Sequence, residues 1–198
     1  MKIYSYVVAR DYGFAPNPFH GFCSLATCKP LVRKMASVGD FVVGITPKHD
    51  GNRICYVMEV SSKITFDDYW CGASYQNKKP RFDLSYKYAV GDNIYCKLPD
   101  GSWHQQDSHH THEDGRPIQE NIEVDTGTTE SVLLGERFSY WGSEGIDIPA
   151  EFGGLRVARG HKCDFGQAFV EKFKVWFFNQ ERGVLGNPER WGSKGTFR

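Results

Sequence analysis

The sequence predicts an α+β fold: a small, twisted, mainly antiparallel β-barrel in one domain, capped by helices. Three observations carry this. The run Phe41–Ile45 is β-branched and follows the turn signal Val38-Gly39-Asp40, and it is answered by a second β-rich run from Arg53 to Ile64. Between them, Pro47 to Asn52 carries turn chemistry centred on Asp50-Gly51, which makes the pair an antiparallel hairpin. Helical periodicity is confined to a short segment before this hairpin and a long one near the end, so helices sit at the ends of a sheet rather than alternating with strands.

Taken in order, Met1 to Arg10 alternates as a first strand. The loop Asp11 to Cys23 holds Pro16 and Pro18 on either side of Asn17, which keeps the backbone extended there. Its three phenylalanines, Phe14, Phe19 and Phe22, either fold back onto the core or line a pocket. Pro30 at a first helical position opens a short helix to Ala36, with Leu31, Met35 and Val32 facing inward and Arg33 and Lys34 outward. Phe66 to Trp70 adds one helical turn after the hairpin. From about 71 to 129 the pattern weakens into an irregular insertion of short strands and functional loops. Order returns with the strands of Glu130 to Gly142. The last helix takes Asp164 as its N-cap and Gln167 as capping-box partner. Phe165, Phe169, Phe173 and Trp176 or Phe177 form its apolar face, and it ends near Asn179. The tail, about 187 to 198, is rich in Gly and charge and is expected to fray, with Pro188 and Trp191 docking locally.

A chain of 198 residues can bury a core without disulfides or metal. Its 24 basic and 24 acidic residues balance, which argues against affinity built on neutralising many phosphates of a duplex. A small ligand, or one extruded nucleotide, remains compatible. No stretch approaches the roughly 20 apolar residues that span a bilayer, and the first ten residues do not read as a signal peptide. The six cysteines, none in a C-x-x-C pair, are therefore expected to be reduced thiols in the cytoplasm, and Cys55 to be a core residue.

Four groups of residues could carry chemistry. In Asp107 to Asp114, alternate histidines along a strand would point the same way, so His110 and His112 could share a metal; no familiar ligand spacing accompanies them, no cofactor is called for, and a hydrogen-bonding loop is the alternative. In Arg156 to Asp164, basic groups beside Gly160 could seat an anion, with Arg159 and Lys162 as contacts, unless they only pair with surface acids. A nucleophilic thiol, Cys23, Cys28 or Cys163, needs a neighbouring His, and Cys163 has His161 two residues away. Finally, Trp70, Tyr69, Phe19, Trp103, Tyr140 and Trp141 could sandwich a planar base, with Asn17 or Asp68 reading its edge.

The opening Met1 to Phe19 (MKIYSYVVARDYGFAPNPF) resembles the nucleotide modification associated domain 2 family. Leu25 to Pro30 (LATCKP), Val38 to Asp40, Phe66 to Trp70 (FDDYW), Gly91 to Tyr95 (GDNIY), Asp107 to His110 (DSHH) and Arg159 to Cys163 (RGHKC) extend the likeness over nearly the whole chain. The resemblance implies a bacterial or phage protein tied to systems that modify bases or nucleotides, with partners from such a system, and it assigns no catalytic residue. The order of elements is also similar to the PUA-like group, notably EVE-type domains, which hold modified bases in the aromatic pocket of a small barrel. Taken with the aromatic and basic clusters, the leading expectation is recognition of a modified base or nucleotide, free or within nucleic acid. Phe19 and Trp70 would stack, Asn17 and Asp68 would read the edge, and Arg159 and Lys162 would meet phosphate. The alternative is an enzyme acting on such a ligand, with His109, His110, His161 and Cys163 as the catalytic candidates.

Overall fold

The structure, a computed structural model, describes residues 1–190, so Trp191 and the remainder of the expected tail to 198 lie outside the described residues. The strands are β1 (Ile3–Val7), β2 (Cys23–Leu25), β3 (Phe41–Ile45), β4 (Ile54–Glu59), β5 (Ser62–Thr65), β6 (Tyr95–Lys97), β7 (Trp103–Gln105), β8 (Ser131–Gly135), β9 (Phe138–Tyr140), β10 (His161–Lys162) and β11 (Gly183–Val184). The α-helices are α1 (Pro30–Met35), α2 (Phe66–Cys71), α3 (Tyr86–Ala89), α4 (Gln119–Thr126) and α5 (Gln167–Phe178).

Among the described residues these strands form three sheets and no closed barrel. A six-stranded sheet runs β10-β1-β3-β4-β9-β11, a three-stranded one β2-β8-β5, and β6-β7 is a hairpin. The β3–β4 hairpin stands as read, antiparallel with Phe41 opposite Glu59. The barrel expectation differs for two reasons. First, β1 runs parallel to β3, with Ile3 opposite Phe41. Second, the run from Arg53 to Ile64 is two strands: β4 stays in the large sheet beside β9, while β5 crosses to the small one beside β8.

Period-two alternation then builds the layers. One face of the large sheet (Tyr4, Tyr6, Val42, Tyr56, Met58) packs on Cys23, Leu25 and Leu133 of the small sheet and on Val32. The opposite face (Ile3, Phe41, Val43, Val57) is covered by Val170, Phe173 and Phe177 of α5 with Phe152 and Leu155. A third cluster fills the far side of the small sheet, where Val132 and Leu134 meet Phe14, Phe66, Tyr69, Tyr95 and Ile122.

Two helices differ from their sequence reading. α5 is capped at Gly166 without a side-chain hydrogen bond, so Asp164 is not its N-cap and the helix starts at Gln167. α1 is rotated: Leu31 and Met35 are exposed, whereas Arg33 is 0% exposed. The region 71–129 holds α3, α4 and the β6–β7 hairpin rather than strands and loops alone. Residues 187–190 are tied down, with Asn187 O accepting from Ser143 N and Arg190 N donating to Asp11 O. No helix among the described residues is long and apolar enough to cross a membrane.

Candidate functional site

Three distant segments meet where β2 turns into α1. Cys28 lies in the turn Ala26–Lys29 and adopts φ 58°, and Lys29 follows at φ 41°. Two consecutive left-handed residues that are not glycine cost on the order of 1 kcal/mol each, so the surroundings must impose them. They do. Cys28 N donates to Asp125 Oδ1 at 2.6 Å, and Cys28 O accepts from Arg33 Nε at 2.9 Å. Arg33 also donates to Ser131 O (2.7 Å) and Asp125 O (2.5 Å), so one buried guanidinium ties the turn, the end of α4 and the start of β8 together. That explains the rotation of α1. The guanidinium finds three backbone acceptors inside, and the apolar Leu31 and Met35 are left outside.

Around this clamp sits a line of polar side chains. His110 Nδ1–H donates to Asp125 Oδ2 at 2.8 Å, and His110 Nε2 lies 3.7 Å from Cys28 Sγ. Asp125 is 0% exposed and also accepts from the Tyr95 hydroxyl at 2.9 Å, which in turn accepts from Gln105 Nε2. Each oxygen of Asp125 is thus held by the groups it orients. The imidazole is fixed with Nδ1 toward the acid and Nε2 toward the thiol, the relation of nucleophile, base and orienting acid.

Burial works against a charged His110, but the hydrogen bonds to Asp125 and then Cys28 overcome it and push its pKa up to about 10. The adjacent His109 is driven the other way, to about 4, by burial first and then by the His110 and Arg10 charges. Neighbouring imidazoles with opposite protonation states are a common sign of divided acid and base roles. His109 packs against Tyr12 (ring centroids 4.3 Å) and Phe14 (5.4 Å), and Phe14 lies 4.7 Å from His110. Half-buried Lys29 rests over the Tyr6 ring, its ammonium 4.7 Å from the centroid, and burial lowers its pKa.

The other expected site residues are placed elsewhere. Asn17 is buried, donates to Val90 O and accepts from Phe19 N and the Lys78 ammonium, so its amide is engaged inside the fold. Phe19 is 3% exposed and contributes to a cavity of about 320 Å³ with His20, Lys87 and Arg182. Asp68 closes a capping box with Thr65 at the start of α2. Trp70 is covered by Lys79, whose Nζ is 3.7 Å from the ring centroid. Arg159 is exposed ahead of β10, and Lys162 donates to Gly154 O. His161, paired with Tyr6 in the sheet, lies 6.3 Å from the Tyr4 ring. Cys163 packs against the core beside β1. The bases and acids of this second group are therefore distributed among α2, the Asn17 loop and β10.

Of the sequence candidates, His109 and His110 come together with Cys28, while His161 and Cys163 do not. His110 engages both ring nitrogens, so it does not share a ligand with His112, whose amide closes a turn with Arg116 O. Among the described residues no group of three His, Cys, Asp or Glu side chains could hold a metal ion. Sequence reasoning misses Asp125. Its signal is the stripe Ile122, Asp125, Thr126 on the buried face of α4, an acid at apolar spacing in a helix too polar to stand out.

No curated protein and no solved structure matches the chain. Residues 1–195 match the family model described as nucleotide modification associated domain 2. The match takes in every segment that converges on this site, and the chain belongs to that family.

Proposed function

We propose that the protein is an enzyme of a nucleotide-modification system that acts on a nucleotide or modified base, with His110 and Asp125 as its proton-transfer pair. The observation that carries this reading is the buried hydrogen bond from His110 Nδ1 to Asp125 beside a half-buried thiol. A carboxylate spent on orienting one imidazole, with a second ring nitrogen left toward a reactive group, supports catalysis better than binding alone. The family membership supports the substrate class. The half-buried Tyr12 and His109, their ring centroids 4.3 Å apart, offer flat surfaces next to the pair, suited to an aromatic base.

The plain recognition reading, a PUA-like base pocket lined by Asn17, Phe19, Asp68 and Trp70 with Arg159 and Lys162 on phosphate, is the weaker proposal. Asn17 and Asp68 already spend their hydrogen bonds on the fold. The test is turnover of a panel of unmodified and modified nucleotides and short oligonucleotides, followed by mass spectrometry, for the wild type and His110→Gln. Turnover lost by about 10²-fold or more in the variant is expected from removal of a proton-transfer group. Turnover unchanged in His110→Gln, or ligand binding without conversion across the panel, overturns the enzymatic reading.

A further inference from the structure

We propose that Cys28 is a covalent nucleophile, activated by His110, that attacks a planar carbonyl or amidine-type carbon carrying a nitrogen or oxygen leaving group. This rests on the enzymatic reading of the His110 site and narrows its reaction class to hydrolysis through a thioester-like or thioimidate-like intermediate.

Four observations converge on it. The thiol sits at a strand-to-helix turn, which lifts a side chain clear of both elements. Its backbone is held in a left-handed conformation that a cysteine does not adopt by preference, and strain of this kind concentrates at reacting groups. The imidazole next to it is locked by an acid that also grips the nucleophile's own amide, so thiol and imidazole cannot drift apart. Lys29, the next residue, carries a half-buried ammonium that meets an aromatic ring and no acid among the described residues. Such a cation suits negative charge driven onto the oxygen or nitrogen of the attacked carbon.

The step balances with water as the only co-reactant. His110 is the protonated partner of the pair, so Cys28 attacks as the thiolate whose proton already rests on His110 Nε2; the S–C bond forms and the π electrons move onto the substrate heteroatom. As that pair returns, the bond to the leaving group breaks, and His110 gives the proton to the departing nitrogen or oxygen. Water, deprotonated by the same Nε2, then attacks the carbon, the C–S bond breaks, and the thiolate is restored beside the protonated imidazole.

The chain contains its own controls. Cys71 is exposed and serves as an ordinary thiol, while Cys23 and Cys55 are buried. The full chain is treated with limiting iodoacetamide at about pH 6, where an unactivated thiol reacts slowly, and each cysteine is followed by peptide mass spectrometry. Cys28, although less exposed than Cys71, is expected to be alkylated at least about tenfold faster, and His110→Gln to bring it to or below the Cys71 rate. Cys23 and Cys55 staying unlabelled in the variant reports that it is folded. Labelling of Cys28 no faster than Cys71 in the wild type overturns the proposal outright, as does an unchanged Cys28 rate in a folded His110→Gln. Cys28→Ser that keeps full nucleotide turnover overturns the covalent step and leaves His110 acting on water. Activated Cys28 with no turnover of any nucleotide supports the nucleophile and overturns the reading of the site as a nucleotide-processing enzyme, so the two failures are distinguishable.

Discussion

Replacing Arg33 by methionine tests the physical basis of the site most directly. The side chain is 0% exposed, and its donors reach three main-chain carbonyls, those of Cys28, Ser131 and Asp125. Each bond from a charged donor is worth about 1.5–3 kcal/mol, and a buried acceptor left without one bears the desolvation penalty. Three such losses sum to about 4.5–9 kcal/mol. The sum is an upper bound, because the methionine also spares the fold the cost of desolvating a cation. A loss of about 3–5 kcal/mol is the expected result, a large share of the 5–15 kcal/mol by which a domain is typically stable. Urea unfolding followed by tryptophan fluorescence reads it as a shifted midpoint at constant slope. Arg33→Lys separates charge from geometry. A lysine keeps the cation but is shorter and brings its donors to a single nitrogen, whereas the three carbonyls are met by Nε, Nη1 and Nη2 separately, so it should recover less than half of the loss. A loss under about 1 kcal/mol for methionine would refute the claim that this guanidinium holds the turn, and with it the explanation for the rotation of α1.

The same contacts support further expectations. His110 has its folded-state pKa raised from 6.5 to about 10, so its stabilising contribution is complete below pH 6.5 and is lost as pH rises toward 10; unfolding free energies across that window should fall by up to a few kcal/mol in the wild type and stay flatter in His110→Gln. Asp11 is the opposite kind of case. Burial raises its pKa from 3.8 to about 6 despite hydrogen bonds from the Tyr140 hydroxyl and Gly13 N. Its charge therefore costs stability above pH 6, and that cost is relieved as pH falls toward 3.8; Asp11→Asn should remove this component from a pH series of melting temperatures. Cys28→Gly frees a residue held at φ 58° and should melt no lower than the wild type, gaining up to about 1 kcal/mol, while abolishing any thiol-dependent activity. Lys78 is buried among Asn17 O, Asn17 Oδ1, Phe22 O and Ser24 Oγ, so Lys78→Met should cost about 3 kcal/mol or more by stranding these acceptors, measured by urea unfolding.

The local grammar of the chain is legible from its residues alone. The β3–β4 hairpin, Pro30 opening α1, the helical turn after Thr65 and the aromatic face of α5 depend on neighbours within a few residues, and their signals are correspondingly clear. Three features depend instead on the folded chain as a whole. Arg33 reads as a solvated residue until a folded chain offers it the carbonyls of residues 92 and 98 positions away. The sheet is not a closed barrel, because β5 leaves the hairpin's sheet to pair with β8, a choice that no alternation pattern encodes. The candidate site is the sharpest instance. Cys28 lies 82 positions from His110 and 97 from Asp125, and each alone reads as a packed thiol, a loop imidazole or a helix acid. Proximity in sequence points instead to His161 and Cys163, which the fold holds apart from His110. Chemistry between side chains depends on distance in space, and only long-range packing of the β2–α1 turn, the loop after β7 and α4 brings a thiol within 3.7 Å of an imidazole.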